Sequence, residues 1–315
     1  MNNKKILITG GTGFIGFHLA KKCLKLNWSV TSLSTKKPKI NRRLSKVKYL
    51  ISDISNKKKL LKSIKPNFYD YVVNLAGYVD HSNKKKTMES HFKGCKNLSL
   101  LFLNSKIEKF IQIGSSIEYG KKKSPQIESK INNQKTFSVY GNAKLQSTKF
   151  LLNLNKNYNF PMTVLRLYLV YGPAQDNNRV VPITIFNAIQ NNNFDCSNGT
   201  QLRDFLFIDD LIDAIIKSLK NDKSTGEIIN LGTGKPIKIK DLITKICNLV
   251  GSGRPEFGKV KLRKDEIKKL YPKILKSKKL LNWKPKISIE KGLKKTIKYF
   301  KKNKKKKFLV NILIC

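Results

Sequence analysis

Ile6-Leu7-Ile8-Thr9-Gly10-Gly11-Thr12-Gly13-Phe14-Ile15-Gly16 reads as a buried strand, a glycine-rich turn and the first turn of a helix, in that order. Gly11, Gly13 and Gly16 satisfy the G-x-G-x-x-G spacing of dinucleotide-binding turns, and Gly10, Gly13 and Gly16 satisfy the wider G-x-x-G-x-x-G spacing. The physics is the same in either register. Without a Cβ the chain turns sharply, backbone amides approach a pyrophosphate, and the last glycine lets the helix lie against its strand. The helix N-terminus adds partial positive charge at the same place. The turn predicts a dinucleotide site that uses Gly10, Gly13, Phe14, Ile15 and Gly16.

Outward from this turn, apolar runs alternate with amphipathic stretches. Residues 4–9, 28–33, 47–51 and 71–75 read as strands, with helices at 14–26 and 57–64. Residues 84–104 form a helical stretch, 110–113 a strand, 138–154 a long helix and 162–167 another strand. This alternation implies an α/β, Rossmann-like doubly wound parallel sheet covered on both faces. After Tyr171-Gly172-Pro173 the rhythm changes. Residues 191–199 are polar and turn-rich, 207–220 read as helix, 228–231 as strand, 240–250 as helix, 251–262 as loop and strand, and 288–302 as the last helix. The expected division is a dinucleotide-binding domain over 1–172, to which 203–234 return. A smaller interleaved C-terminal substrate lobe takes 173–202 and 235–300. From Lys301 a lysine run and a short apolar stretch close the chain, too short to span a bilayer and read as a disordered tail over 301–315.

The end of the second strand is where an acid would hold the ribose hydroxyls of NAD. Here the chain reads Ser34-Thr35-Lys36-Lys37. Small hydroxyls followed by cations suit a 2′-phosphate, so Ser34, Thr35 and Lys36 favour NADP, with NAD the alternative. Asp53 and Ile54, after the third strand, are placed for the adenine; a helix cap is the other reading of Asp53.

Hydride transfer at a carbon bearing oxygen needs a group that passes one proton to or from that oxygen. Tyr140 and Lys144 stand one helical turn apart, on the same face. A free phenol ionises only at about pH 10, and a neighbouring ammonium favours its phenolate. Ser115, at the end of a strand, is placed to hydrogen-bond the same substrate oxygen. Ser115, Tyr140 and Lys144 are therefore the candidate catalytic residues.

Composition narrows the remaining classes. The net charge of +45 invites a nucleic-acid reading, but the basic residues are nearly all lysine, spread along all 315 residues. That pattern is a solvated background that can attract anionic substrates, not a specific nucleic-acid surface. The arginines (Arg42, Arg43, Arg166, Arg179, Arg203, Arg254, Arg263) are correspondingly informative, because lysine cannot copy a planar bidentate fork. The five cysteines are scattered with no Cys-x-x-Cys pair, which suggests free thiols and no metal site. The N-terminus enters a strand directly, with no signal-peptide pattern, so the cytoplasm is the expected compartment.

Further phrases accumulate in a fixed order: Asn74-Leu75-Ala76-Gly77, Gly114-Ser115-Ser116-Ile117-Glu118-Tyr119-Gly120, Tyr140-Gly141-Asn142-Ala143-Lys144, Tyr171-Gly172-Pro173, Arg203-Asp204-Phe205 and Asn230-Leu231-Gly232-Thr233-Gly234. With the glycine turn they make the chain resemble an extended short-chain dehydrogenase/reductase, the nucleotide-sugar epimerase/dehydratase/reductase group, over about residues 4–300. The resemblance places Ser115, Tyr140 and Lys144 at the family's catalytic positions and Leu75, Ala76 and Gly77 beside the cofactor. It places Arg203 and Arg263 on the diphosphate of a nucleotide sugar, where guanidinium suits phosphate oxygens, and Arg179 near the nucleotide base. It also implies a homodimer packed through helices near 84–104 and 138–154.

Sugar dehydratases of that family carry an acid pair just after the catalytic Ser/Thr. This chain has Ser116 and Ile117 there, with Glu118 displaced, which argues against dehydration. Leu169 and His91 stand where the family often has asparagine, a departure from the usual hexose 4-epimerase. Two readings remain: an NADPH-dependent reductase of a 4-keto-6-deoxyhexose nucleotide, similar to CDP-abequose-type synthases, and an NAD-dependent nucleotide-sugar 4-epimerase.

Overall fold

The computed structural model describes residues 3–80, 82–128, 136–262 and 266–312. Its first half alternates as the sequence predicts: β1 (Lys5–Thr9), α1 (Phe14–Lys25), β2 (Ser29–Ser34), β3 (Val47–Ile51), α2 (Lys57–Ser63), β4 (Tyr71–Asn74), α3 (Lys84–Met88) and α4 (Gly94–Leu101). There follow β5 (Lys109–Ser115), α5 (Val139–Tyr158), β6 (Met162–Leu167), β7 (Leu169–Tyr171) and α6 (Val180–Ile189). Ser138 caps α5 by accepting the Gly141 amide, and Asn159, at φ 53°, ends it.

The period-two alternation of the strands sorts their side chains onto two faces. Ile6 and Ile8, Tyr71 and Val73, Ile111 and Ile113 join one core; Leu7, Val72 and Phe110 join the other. The first core takes Leu19, Ala20 and Cys23 of α1, and the second takes Leu98 of α4 and Leu145, Leu151 and Leu154 of α5. Both faces are thus covered by helices, as an all-parallel sheet requires.

The second half adds β8 (Asn193–Cys196), β9 (Leu202–Arg203), β10 (Phe205–Phe207), α7 (Ile208–Leu219), β11 (Ile228–Leu231) and β12 (Ile237–Lys238). It ends with α8 (Ile239–Val250), β13 (Arg254–Phe257), β14 (Lys269–Leu270), α9 (Leu275–Leu281) and α10 (Ile289–Ile312). The main sheet has seven strands in the order β11-β6-β5-β4-β1-β2-β3, all parallel, so the chain rejoins it at β11. The order reverses on either side of β1, and the crevice at that switch point is where such sheets bind ligands. The remaining strands form small separate sheets: β10 on β7, β12-β9-β14, and β13 on β8.

Three differences from the sequence expectations have physical causes. The turn-rich stretch at 191–199 contains β8, which pairs in parallel with β13. Between α3 and α4 the backbone makes a π-helical turn over Glu89–Lys93. The last helix does not end at 302 and give way to a disordered tail from Lys301; α10 runs to Ile312. Lysine is a good helix former and no Gly or Pro follows Gly292, so nothing in the sequence stops it.

Candidate active site

A cleft of about 590 Å³ opens at the carboxyl ends of β1 to β4, a size typical of small-molecule sites. Gly10, Gly13, Phe14, Ile15 and Gly16 line it, with Ser34, Thr35, Asp53, Ile54, Leu75, Ala76 and Gly77. Lys36 does not line it and is exposed. Asp53 is not the cap of α2, because Asn56 holds that place; Asp53 Oδ1 accepts the Ser55 amide at 2.8 Å. Sequence reasoning missed Ser52, Lys86, Glu89, Ser90, Gln175 and Asp176, all on the cleft wall. Residues 86, 89 and 90 share one helical face, a signal that could have found them.

The site fits a dinucleotide. α1 begins at Gly13 with neither a side-chain cap nor an acidic residue in its first turn, so its free amides face the cleft without a competing anion. Gly10 has φ +69°, and a Cβ there would stand 2.9 Å from the Leu75 carbonyl oxygen and the Ala76 nitrogen. The Ser52 hydroxyl, buried in the wall, has no hydrogen-bond partner among the described residues.

The structure brings Ser115, Tyr140 and Lys144 together. Tyr140 hydrogen-bonds with the Ser115 side chain. Lys144 Nζ donates to the Ile113 carbonyl at 2.7 Å and lies 6.0 Å from the Tyr140 ring centre. Burial raises the Tyr140 pKa, which the Ser115 hydrogen bond and the nearby Arg179 oppose. The sequence expected a phenol acidified by Lys144; burial outweighs the Ser115 hydrogen bond and Arg179 instead. Burial also lowers the Lys144 pKa, opposed by Glu118. His91, on the π-turn, packs edge-on to Tyr140 at 4.9 Å, with its Nε2 3.1 Å from the Tyr78 carbonyl.

Of the two candidate substrate arginines among the described residues, Arg179 lines the cleft, exposed at the start of α6, and Arg203 does not. Arg203 lies on β9 and is ion-paired with Glu266, and its Nη1 donates to the Leu202 carbonyl at 2.9 Å. Arg263 lies outside the described residues. Among the described residues no group of three His, Cys, Asp or Glu is placed to hold a metal ion, and no helix is long and apolar enough to cross a membrane.

Comparison with known proteins agrees with this fold. The chain matches the NAD dependent epimerase/dehydratase family over residues 6–232. It is 29% identical to a UDP-glucuronate 4-epimerase of Thermodesulfobacterium geofontis, covering 94% of this chain and 96% of that one. It is 28% identical to a CDP-abequose synthase of Salmonella muenchen, covering 94% and 97%. A solved UDP-glucuronic acid 4-epimerase variant from Bacillus cereus, in complex with a UDP-4-deoxy-4-fluoro-glucuronic acid and NAD, superposes with a TM-score of 0.84 at 27% identity, covering 95% of this chain and 99% of that one.

Proposed function

The chain belongs to the NAD dependent epimerase/dehydratase family, and from that premise we propose that it reduces a 4-keto-6-deoxyhexose nucleotide with NADPH. The observation that carries this reading is the end of β2. Ser34 and Thr35 line the cleft, and the strand end from Thr31 to Lys37 carries no carboxylate of its own to hold ribose hydroxyls and repel a 2′-phosphate. Lys36 and Lys37 follow and supply positive charge. Dehydration is disfavoured further by the engagement of Glu118, whose oxygens are filled by the Ser115 amide, Thr148 and Arg166.

A nicotinamide held in the cleft would supply the hydride, and this chain's side chains handle the proton. Ser115 and Tyr140 hold the carbonyl oxygen between them, and Tyr140 gives its proton to the new alkoxide. Its raised pKa suits a donor that must stay protonated near neutrality. Lys144, anchored on the Ile113 carbonyl, keeps positive charge beneath the phenol. Arg179 is an accessible cation for the substrate's nucleotide portion, while Arg203 would have to exchange Glu266 for a phosphate. Arg263 is assigned to the same diphosphate by resemblance. A homodimer through α4 and α5 is assigned likewise.

A second reading, reversible 4-epimerisation with retained NAD, is favoured by the relatives that carry that name. The two separate in one assay. The reductase consumes NADPH mole for mole with a 4-keto sugar nucleotide, and the epimerase interconverts sugars with no net cofactor use. In either case Tyr140→Phe should lower kcat by about 10²–10⁴-fold; activity within a few-fold of the parent would refute the proton-relay assignment.

A further inference from the structure

A buried carboxylate stays ionised only when its oxygens are filled by donors. Glu118 and Arg166 are both 0% exposed and face each other as an ion pair. Glu118 Oε1 accepts the Ser115 amide at 2.7 Å. Its Oε2 accepts the Thr148 hydroxyl at 2.7 Å and Arg166 Nε at 3.0 Å, and Arg166 Nη2 stands 2.9 Å away as an ion-pair contact. These donors come from three elements. Ser115 ends β5, Arg166 lies on β6, and Thr148 lies on α5, one turn past Lys144 and two past Tyr140. Gly114 makes room for the carboxylate, since a Cβ there would stand 2.6 Å from Oε1. The ring of Tyr119 covers the guanidinium at 4.4 Å.

The sheet does not need this pair to form. β5 and β6 are already in continuous register from Phe110 opposite Met162 to Ser115 opposite Leu167. What the pair adds is a tie between the serine at the strand end and the helix that bears the tyrosine and the lysine. We propose that Glu118, held by Arg166, is a positioning residue that fixes Ser115 against α5 and balances the charge of Lys144. The inference rests on the proton-transfer reading of the site. Groups facing Tyr140 are Ser115 from β5, His91 from the π-turn, Arg179 from the start of α6 and Lys144 from its own helix, with the Glu118 charge also felt there. Lys144 meets the Ile113 carbonyl and senses Glu118 and Cys95. The Glu118 charge favours the protonated form of both Tyr140 and Lys144.

The test compares Glu118→Gln, Thr148→Val and Tyr140→Phe in steady-state kinetics across pH, with dinucleotide binding followed by fluorescence. Glu118→Gln should lower kcat by about 10–100-fold, the scale of a small misplacement at a reacting centre. KM and dinucleotide affinity should stay within about threefold, because the residue touches neither ligand. Its alkaline limb should move to lower pH, because Tyr140 and Lys144 both lose a negative neighbour. Thr148→Val should lower kcat less and leave that limb in place, since the charge remains. Should the lone guanidinium left by Glu118→Gln unfold the chain, Glu118→Gln combined with Arg166→Met removes both charges and should show the same kcat loss. Parental kcat and pH profile in the folded Glu118 variant, beside an inactive Tyr140→Phe, would overturn the positioning role alone. An active Tyr140→Phe would overturn the reading of the site and this inference with it.

Discussion

At the scale of single residues, the sequence shows the groups proposed to carry the proton but not the fields around them. Tyr140 and Lys144 were legible because one helical turn fixes their relation locally, and Ser115 because it follows a clear apolar strand. The partners of Glu118 and Arg203 were not, since Arg166 and Glu266 lie 48 and 63 positions away and only the fold brings them close. The direction of the Tyr140 shift depends on burial, which no local pattern shows. That direction gives a pH prediction. The proposed reduction needs a protonated phenol, and a raised pKa keeps the proton on above neutrality. The reductive kcat should therefore be level between about pH 6 and 8 and fall only on the alkaline side. There Lys144, its own pKa lowered by burial, loses charge as well. Oxidation of the product needs the phenolate and should accelerate across the same range. Rates for the two directions measured with saturating substrates test this, and a reductive kcat that climbs with pH would contradict it.

At the scale of elements, long periodic segments were legible and single-residue insertions were not. β3 and β6 fall where the apolar runs place them, and α1, α2 and α7 differ from expectation by a residue or so at their ends. The π-turn at Glu89–Lys93 escaped notice because one extra residue in a turn leaves composition and amphipathicity almost unchanged. Its consequence is spatial. It sits where His91 meets both Tyr140 and the loop after β4, so closely that a Cβ on Gly77 would stand 1.9 Å from His91 Cε1. Gly77→Ala should therefore destabilise the chain by about 1–3 kcal/mol through overpacking. The cost should shrink when His91→Ala clears the space, which makes the pair strongly non-additive. Urea unfolding of the two single variants and the double variant measures the coupling. Additive effects would mean that the ring and the loop do not press on each other as described.

At the scale of the whole molecule, a parallel sheet covered on both faces was legible in the strand-helix alternation, whereas its strand order is seen only in the fold. The small sheets were less legible, because strands of two or three residues such as β9, β12 and β14 carry no periodicity to read. Charge is the other global property. The buried lysines and arginines are individually engaged: Arg42 on the Ala174 carbonyl and Asp176, Lys109 on Thr225, Lys144 on Ile113, Arg166 on Glu118, and Arg203 on Glu266. Most other lysines are exposed, and the net charge of +45 gives the molecule a positive overall field. A diffuse field of this kind draws in an anionic nucleotide sugar without contacting it. It is also screened, since the Debye length falls from about 30 Å at 0.01 M to about 3 Å at 1 M salt. kcat/KM for the nucleotide sugar should accordingly fall several-fold as potassium chloride rises from about 0.02 to 0.5 M. The change should lie in KM, with kcat nearly constant, because the proton-transfer groups are buried and little screened. Lysine-to-glutamine changes at exposed positions remote from the cleft, such as Lys21 and Lys62, should flatten the salt dependence additively and leave kcat alone. If kcat/KM is indifferent to salt, the surface charge plays no part in substrate capture, and attraction must come from local cations such as Arg179.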